Sequence, residues 1–455
     1  DGDGVNHVIW YSDVVKNGNG RVQPHALLYE SILLDGEWTA PVINRRVGQP
    51  IQPAVAAGED GRLHLAGTSK TSASNTLNYT TFTPYTCDEF PLTGISQVAY
   101  ETARNPIYRP SDALIPYCQN RYDRLSFMPN PNPAYSAWPS TTNGGFDDMA
   151  ALAKTAEYEV LFSTMWYEDD QNQDSPGYVF VEGVAELYQK LKQNPENFPR
   201  GLTVRILLGN PPELELGNYS SQIWYVLSDL RDAGIDTMED PEIGWRMEVA
   251  NFDGALPHSH SKVVIVDGKT ILAAGFNMQY EHYAEDHPSG QGQGRQDLGI
   301  QVTGPVAQDS HRMYDDLWEG SHQQICSNFF PSHGIWQATC RSSTAISDHV
   351  PEVMRYFLPS SGATTFSLYR SEDHDEADQI VANGLAAAQE SVDAMHVMFT
   401  MEMICDLNLL FKLCDFGEST EFLASLMQAA QNGAKVRLIV KPQPTDGIES
   451  FVAID

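Results

Sequence analysis

His260-Ser261-Lys262-Val263-Val264-Ile265-Val266-Asp267, followed after six residues by Ala274-Gly275-Phe276-Asn277, decides how this chain is read. Val263 to Val266 is a continuous β-branched run, the composition of a buried strand. Asp267-Gly268 supplies the positive-φ positions of a tight turn, and Ile271 to Ala274 returns as the partner strand. Side chains alternate across a strand, so His260 and Lys262 are expected to project from one face. Asn277 falls just past the return strand, placed to come back to that face. An imidazole, an ammonium and an amide are thereby brought to one place.

This arrangement resembles the HKD motif of the phospholipase D superfamily: His, any residue, Lys, four residues, Asp, six residues, then a small-small-x-Asn tail. Ala274 stands where Gly is usual. The bare H-x-K-x4-D pattern has little specificity; the hairpin and the Gly275-Phe276-Asn277 tail supply it. The resemblance implies α/β/α halves with one motif each, and a phosphodiesterase reaction through a phosphohistidine with no metal and no cofactor. In that reading His260 attacks phosphorus, Lys262 holds a nonbridging oxygen and Asn277 donates to the same group. A second motif histidine would protonate the leaving alcohol. Asp297, within Arg295-Gln296-Asp297-Leu298-Gly299-Ile300, resembles the acidic residue that orients the nucleophile, its plain alternative being a surface turn residue. Asp267 sits in the hairpin turn and is given a structural role, as is Gly275.

At 455 residues the chain holds two or three domains, and its 42% hydrophobic and 19% charged content is that of a globular protein. No apolar run reaches the roughly 18 residues that span a bilayer. Sixty acidic against 28 basic residues give a formal charge of −32. That field repels nucleic acid and anionic membranes and favours zwitterionic or small soluble phosphodiesters. It equally suits solubility in salty or extracellular surroundings. Six cysteines fall as near-neighbour pairs, Cys87 with Cys118, Cys326 with Cys340 and Cys405 with Cys414, none at metal-site spacing. Local disulfides in an exported protein are one reading and unconnected buried thiols the other; a disulfide is favoured for Cys326–Cys340, which would clip the loop containing Pro331, Ser332 and Gly334. With an initial Asp and no signal peptide, the expectation is an exported chain, extracellular or periplasmic, whose leader is removed or lies outside the sequence.

Residues 1–85 carry short β-type runs between Gly, Asn and Asp turns. His7-Val8-Ile9-Trp10-Tyr11 and Ala26-Leu27-Leu28-Tyr29 are answered by His64-Leu65-Ala66-Gly67 and Thr76-Leu77-Asn78-Tyr79. A spacing of roughly 50 to 57 residues suits a propeller-like blade repeat, and the segment loosely resembles sialidase-type blades. Residues 86–145, rich in Pro, Asn, Ser and Tyr, read as irregular connection. From residue 146 the pattern turns α/β, with a first phospholipase D-like half at 146–345 and the start of a second at 346–455. Helices are expected at Asp147–Ala156 and Val184–Leu191, and strands at Glu159–Thr164 and Leu202–Gly209. The order recurs as helix Ala377–Gln389, strand Val392–Thr400, helix Glu421–Gln431 and strand Val436–Val440, at an offset of about 232, an internal duplication. At that offset the second motif histidine would fall about 35 residues beyond Asp455. H-x-K occurs once in the chain.

For a lone histidine the ordinary reading is a hydrogen-bonded, half-buried side chain; Lys262, Asn277 and the duplication favour catalysis. His258 raises a rival, a metal pair with His260 and Asp253 as third ligand, disfavoured by the neighbouring Lys262 ammonium. Lining the pocket is the better role for His258. Trp166, Tyr167, Tyr280 and Tyr283 flank strand ends where α/β sites open. Together they could form a wall for a choline-like headgroup by cation–π contact, with Trp166 and Tyr280 as the candidates, while core or rim packing is the favoured reading for each one taken separately. Glu168-Asp169-Asp170 reads as a solvated loop. The leading expectation is an exported phosphodiesterase that hydrolyses or transfers a phosphatidyl group, touching membranes peripherally. One alternative is a non-catalytic binding or adhesion protein, with the propeller-like part as the working module and a degenerate phospholipase D-like domain as scaffold. Another is a single-motif nuclease completed by homodimerisation, against which the charge argues.

Overall fold

The computed structural model describes residues 92–103, 120–129, 141–168, 173–209, 222–235, 237–253, 259–326, 340–346, 363–365, 367–370, 374–396 and 421–440, and strand backbone within 7–82 and at 353–354. Two compact units emerge, Asp1–Thr86 with Ala113–Thr365, and Cys87–Asp112 with Phe366–Asp455. No described helix is long and apolar enough to cross a membrane.

The first unit is built on one mixed sheet. In chain order its main elements are β1 (Arg121–Met128), α1 (Gly145–Ala153), β2 (Glu159–Thr164), α2 (Pro176–Gln193), β3 (Leu202–Leu208), α3 (Gln222–Asp232) and β4 (Trp245–Asn251). There follow β5 (Val263–Val266), β6 (Thr270–Ala274), β7 (Asp297–Thr303), α4 (Val306–Trp318), β8 (His322–Cys326) and β9 (Cys340–Thr344). The sheet runs β1-β7-β6-β5-β2-β3-β4-β8-β9, with the short strand Glu239–Asp240 on β4. β2, β3 and β4 are mutually parallel, and their other neighbours are antiparallel. Parallel strands need both faces covered, and alternation along β2 supplies them. Val160 and Phe162 face the core formed with α1, α2 and α3, while Leu161 joins Leu207, Ile265, Val306 and Trp318 on the α4 face.

The expected strands and helices are present, with shifts that have local causes. α2 begins eight residues earlier than expected: Ser175 accepts from Tyr178 N–H at 3.1 Å and Pro176 occupies the first turn. That cap-and-proline signal was readable. The connection assigned to 86–145 is corrected. It holds the helix Ile95–Ala103, in the second unit, and β1. β1 pairs with β7, far along the chain, and its charged edge-strand sequence hides the pairing. The N-terminal strands form a five-stranded sheet that includes Val353–Met354, a three-stranded meander Ile51–Ala57, Leu63–Lys70, Asn75–Phe82, and a two-stranded pair. Cys326 and Cys340, directly opposed across β8 and β9, are bonded. The other four cysteines lie outside the described residues.

In the second unit α5 (Glu376–Ala386), β10 (Ser391–His396), α6 (Glu421–Gln431) and β11 (Lys435–Val440) close a small core on Val392, Leu426, Ala429 and Ala434. Asn383 donates to Thr102 of the helix Ile95–Ala103 at 3.1 Å. β10 and β11 are parallel with Ser391 opposite Lys435, and β2 and β3 are parallel with Glu159 opposite Thr203. Glu159 and Ser391, and likewise Thr203 and Lys435, stand 232 positions apart in the sequence.

The hairpin that opened the sequence reading is tied to the start of β2. Asp267 and Gly268 both have φ of 56°, and Lys269 N–H donates to Val266 C=O at 2.8 Å. The Asp267 carboxylate is buried and accepts from Glu157, Tyr158 and Glu159 N–H at 2.8, 2.9 and 2.9 Å. Tyr158 OH adds a bond to Asp267 C=O at 2.5 Å. Asp267→Asn keeps the turn conformation but turns one acceptor into a donor against these amides. We expect it to cost on the order of 2 kcal/mol in urea unfolding; an unchanged midpoint would remove this tie from the account of the hairpin.

Candidate active site

Register brings the chemistry to one end of the sheet. Ser163 of β2 pairs with Val263, Val263 with Ala273, and Ala274 with Gly299. The exits of β2 and β6 and the entries of β5 and β7 therefore share one edge, and Thr164 opposite Leu208 puts the exit of β3 there too. In open α/β sheets this carboxyl edge is where ligands are met. Ser259 crosses close over Gly209, where an added Cβ would lie 2.1 Å from Ser259 C=O. Ser259 N–H donates to Gly209 C=O at 3.0 Å, delivering His260 to the edge.

His260 is exposed, whereas Lys262 is buried. Lys262 Nζ lies 3.2 Å from His260 Nδ1 and donates to His260 C=O at 2.9 Å. Burial pulls the Lys262 ammonium down to about 8, with Asp297 acting in the opposite sense. The group is mostly charged at neutral pH. Asn277 is buried; its Oδ1 accepts from Trp166 N–H at 3.3 Å and its Nδ2 donates to Gln279 at 3.2 Å. Met278 N–H to Trp166 C=O at 3.1 Å and Glu168 N–H to Met278 C=O at 3.0 Å complete the stitch. Asn277 thus joins the segment after β2 to the segment after β6.

Asp297 opens β7, half-buried, with Leu298 N–H donating to its Oδ1 at 2.8 Å. It lies against Gly275, where a Cβ would come within 2.1 Å of Oδ1. Gly275→Ala would push this carboxylate aside. We expect about a 10- to 100-fold fall in any activity that Asp297 supports, and a Lys262 titration displaced below about 8 because Asp297 raises it. An unaltered pH–rate profile would show that the carboxylate does not serve the site.

The remaining candidates divide. Trp166 is half-buried beside Asn277. Tyr280 and Tyr283 lie in the core rather than on an open aromatic wall, bonded to Asp174 Oδ1 at 3.4 Å and Asp174 C=O at 2.9 Å. A residue following an apolar turn has two competing destinations, and here the phenols found a partner inside. His258 lies outside the described residues. Asp253, the considered third metal ligand, is paired with His322 at 2.8 Å. Among the described residues no cluster of three His, Cys, Asp or Glu is placed to hold a metal. Glu168, read as part of a solvated loop, accepts from Tyr280 N–H at 2.7 Å.

Sequence reasoning missed His282. It is buried, its Nδ1 has no hydrogen-bond partner, and burial pulls its pKa down, with Asp297 the leading opposing influence. Asp297 therefore acts on both Lys262 and His282. His282 follows Asn277 within a short 3-10 turn, Tyr280–His282, that no periodicity announces. Chemically, the edge offers an imidazole, a partly desolvated ammonium and a carboxylate, a set suited to an oxyanion and a covalent step.

No protein-family model matches the chain. A curated phospholipase D from Streptomyces antibioticus is 28% identical over 93 residues, which are 20% of this chain and 15% of that enzyme. Phosphatidylserine synthase from Haemophilus influenzae superposes with a TM-score of 0.40 at 12% identity, covering 79% of this chain and 72% of that one. Nuc, a phospholipase D family member from Salmonella typhimurium, gives a TM-score of 0.27 at 10% identity over 50% of this chain and 99% of its own. These are weak overall superpositions.

Proposed function

We propose, from the premise that the chain is a relative of the phospholipase D superfamily, as its motif hairpin and curated match indicate, that it is a phosphodiesterase or phosphatidyltransferase. The observation that carries this reading is the Lys262 ammonium 3.2 Å from the His260 imidazole at the carboxyl edge of the sheet. His260 attacks phosphorus, forming the N–P bond as the P–O bond to the leaving alcohol breaks. Lys262 neutralises a nonbridging oxygen, and Asn277 and the segment it holds shape that pocket. Asp297 orients the nucleophile. Water or an acceptor alcohol then takes the phosphoryl group from the histidine. The common displacement of 232 in register supports a duplicated architecture, in which a second motif histidine protonates the leaving alkoxide.

The charge of −32 favours a phospholipid with a zwitterionic headgroup, or a soluble phosphodiester, over nucleic acid. The Cys326–Cys340 bond suits an oxidising, extracellular or periplasmic setting. Bis(p-nitrophenyl) phosphate tests the reaction, because p-nitrophenolate departs without a general acid and the second histidine is not needed for the first step. Reactions quenched in denaturant at mildly alkaline pH, where the acid-labile P–N bond survives, should hold one phosphorylated histidine, mapped by mass spectrometry to the peptide containing His260. Release of p-nitrophenolate without that adduct would defeat the covalent route; no release would defeat the phosphodiesterase reading.

A further inference from the structure

We infer that Lys262 holds His260 in its non-nucleophilic tautomer until a phosphoryl oxygen draws the ammonium away. This rests on the phosphodiesterase reading for the identity of the releasing group, and on geometry for the lock itself. An ammonium has hydrogens to donate and no lone pair. At 3.2 Å from Nδ1 it requires the ring to present a lone pair there, so the ring proton resides on Nε2. Nε2 then has no lone pair with which to attack phosphorus. The same Nζ is fixed by the backbone carbonyl of His260 at 2.9 Å, so one cation clasps both ends of a single residue. Lys262 is buried while His260 is exposed, which leaves the lock inside and the reactive ring outside.

Release balances without any further reagent. The ammonium turns from Nδ1 to the incoming phosphoryl oxygen, a stronger, charge-assisted partner. Nδ1 then takes a proton from water as Nε2 returns one to water, so the ring's net charge is unchanged. The lone pair now sits on Nε2, facing phosphorus. Lys262 is thereby a positioning residue in the free chain and an oxyanion holder in the complex. A lock of this kind keeps an exposed nucleophilic imidazole quiet until an anion of the right kind arrives.

The test is the tautomer of His260 in the full chain, labelled with 15N-histidine, at pH 7, read from long-range 1H–15N correlations and assigned with His260→Asn. The expected free state carries the proton on Nε2, with a change to Nδ1–H as inorganic phosphate saturates. Lys262→Met should release the ring without phosphate, raising the Nδ1–H share several-fold. A free wild-type His260 already in the Nδ1–H form overturns the inference, as does a Lys262→Met ring that keeps the wild-type ratio. Phosphate that leaves the tautomer unmoved also overturns it, while hydrolysis of bis(p-nitrophenyl) phosphate would still uphold the phosphodiesterase reading. Conversely, lock and release without hydrolysis uphold the inference and remove that reading.

Discussion

Replacing His260 by Asn is expected to lower turnover of bis(p-nitrophenyl) phosphate by on the order of 10⁴-fold or more, to the level set by binding alone. The leaving group needs no acid, so what is lost is the bond-forming nitrogen. His260 is exposed, and its removal should leave the unfolding midpoint within about 0.5 kcal/mol of wild type. A fall in rate with an unchanged fold therefore isolates chemistry from stability. Lys262→Met should cost less, about 10²- to 10³-fold, the loss typical of one oxyanion donor. In the wild type, rate should fall as pH rises through about 8, where the Lys262 ammonium gives up the charge that holds the oxygen. Turnover surviving in His260→Asn, with the adduct on another residue, would move the nucleophile elsewhere.

The hairpin of β5 and β6 was legible because its signals are local: a β-branched run, an Asp-Gly turn and a fixed return length. The alternation of helix and strand after residue 146 was legible for the same reason. β1 was not, because its partner β7 lies far downstream and its Arg121, Asp123 and Arg124 describe an edge rather than a core. The choice between ligand wall and core stayed open for Tyr280, because position along the chain says where a side chain starts and not where its hydroxyl finds a partner; Asp174 supplied one inside. His282 gave no sign at all, since its meaning lies in a shared neighbour, Asp297, fifteen positions on in the sequence. Adjacency in the sheet, rather than spacing in the sequence, assembles Lys262 with Asp297.

His311→Gln should produce the largest loss of stability, on the order of 3–5 kcal/mol at pH 7, because it removes one charge from a buried network and leaves its carboxylates one cation short. His311, on α4, is 2% exposed, with Nε2 2.7 Å from Glu159 of β2 and Nδ1 3.0 Å from Asp315 of its own helix. Beyond them Arg205 of β3 donates from Nε to Glu248 of β4 at 2.6 Å and lies 3.7 Å from Asp315, while Arg246 donates to Glu248 at 2.9 Å. Burial works against both His311 and Arg205 as cations, yet Glu159, Glu248 and Asp315 outweigh it, and His311 is held up to about 10. A folded pKa above the unfolded value of 6.5 stabilises fully below that value and fades as pH rises towards about 10. The gap in unfolding free energy between wild type and His311→Gln should accordingly be widest near pH 6 and close towards pH 10, read by urea titration at each pH. A gap that stays constant over that range would mean His311 packs as a neutral ring. The same charges explain why β2 begins on an acidic residue inside an otherwise apolar strand: Glu159 is 1% exposed, and the protonated imidazole on α4, with the Arg205 guanidinium, offsets the cost of burying it.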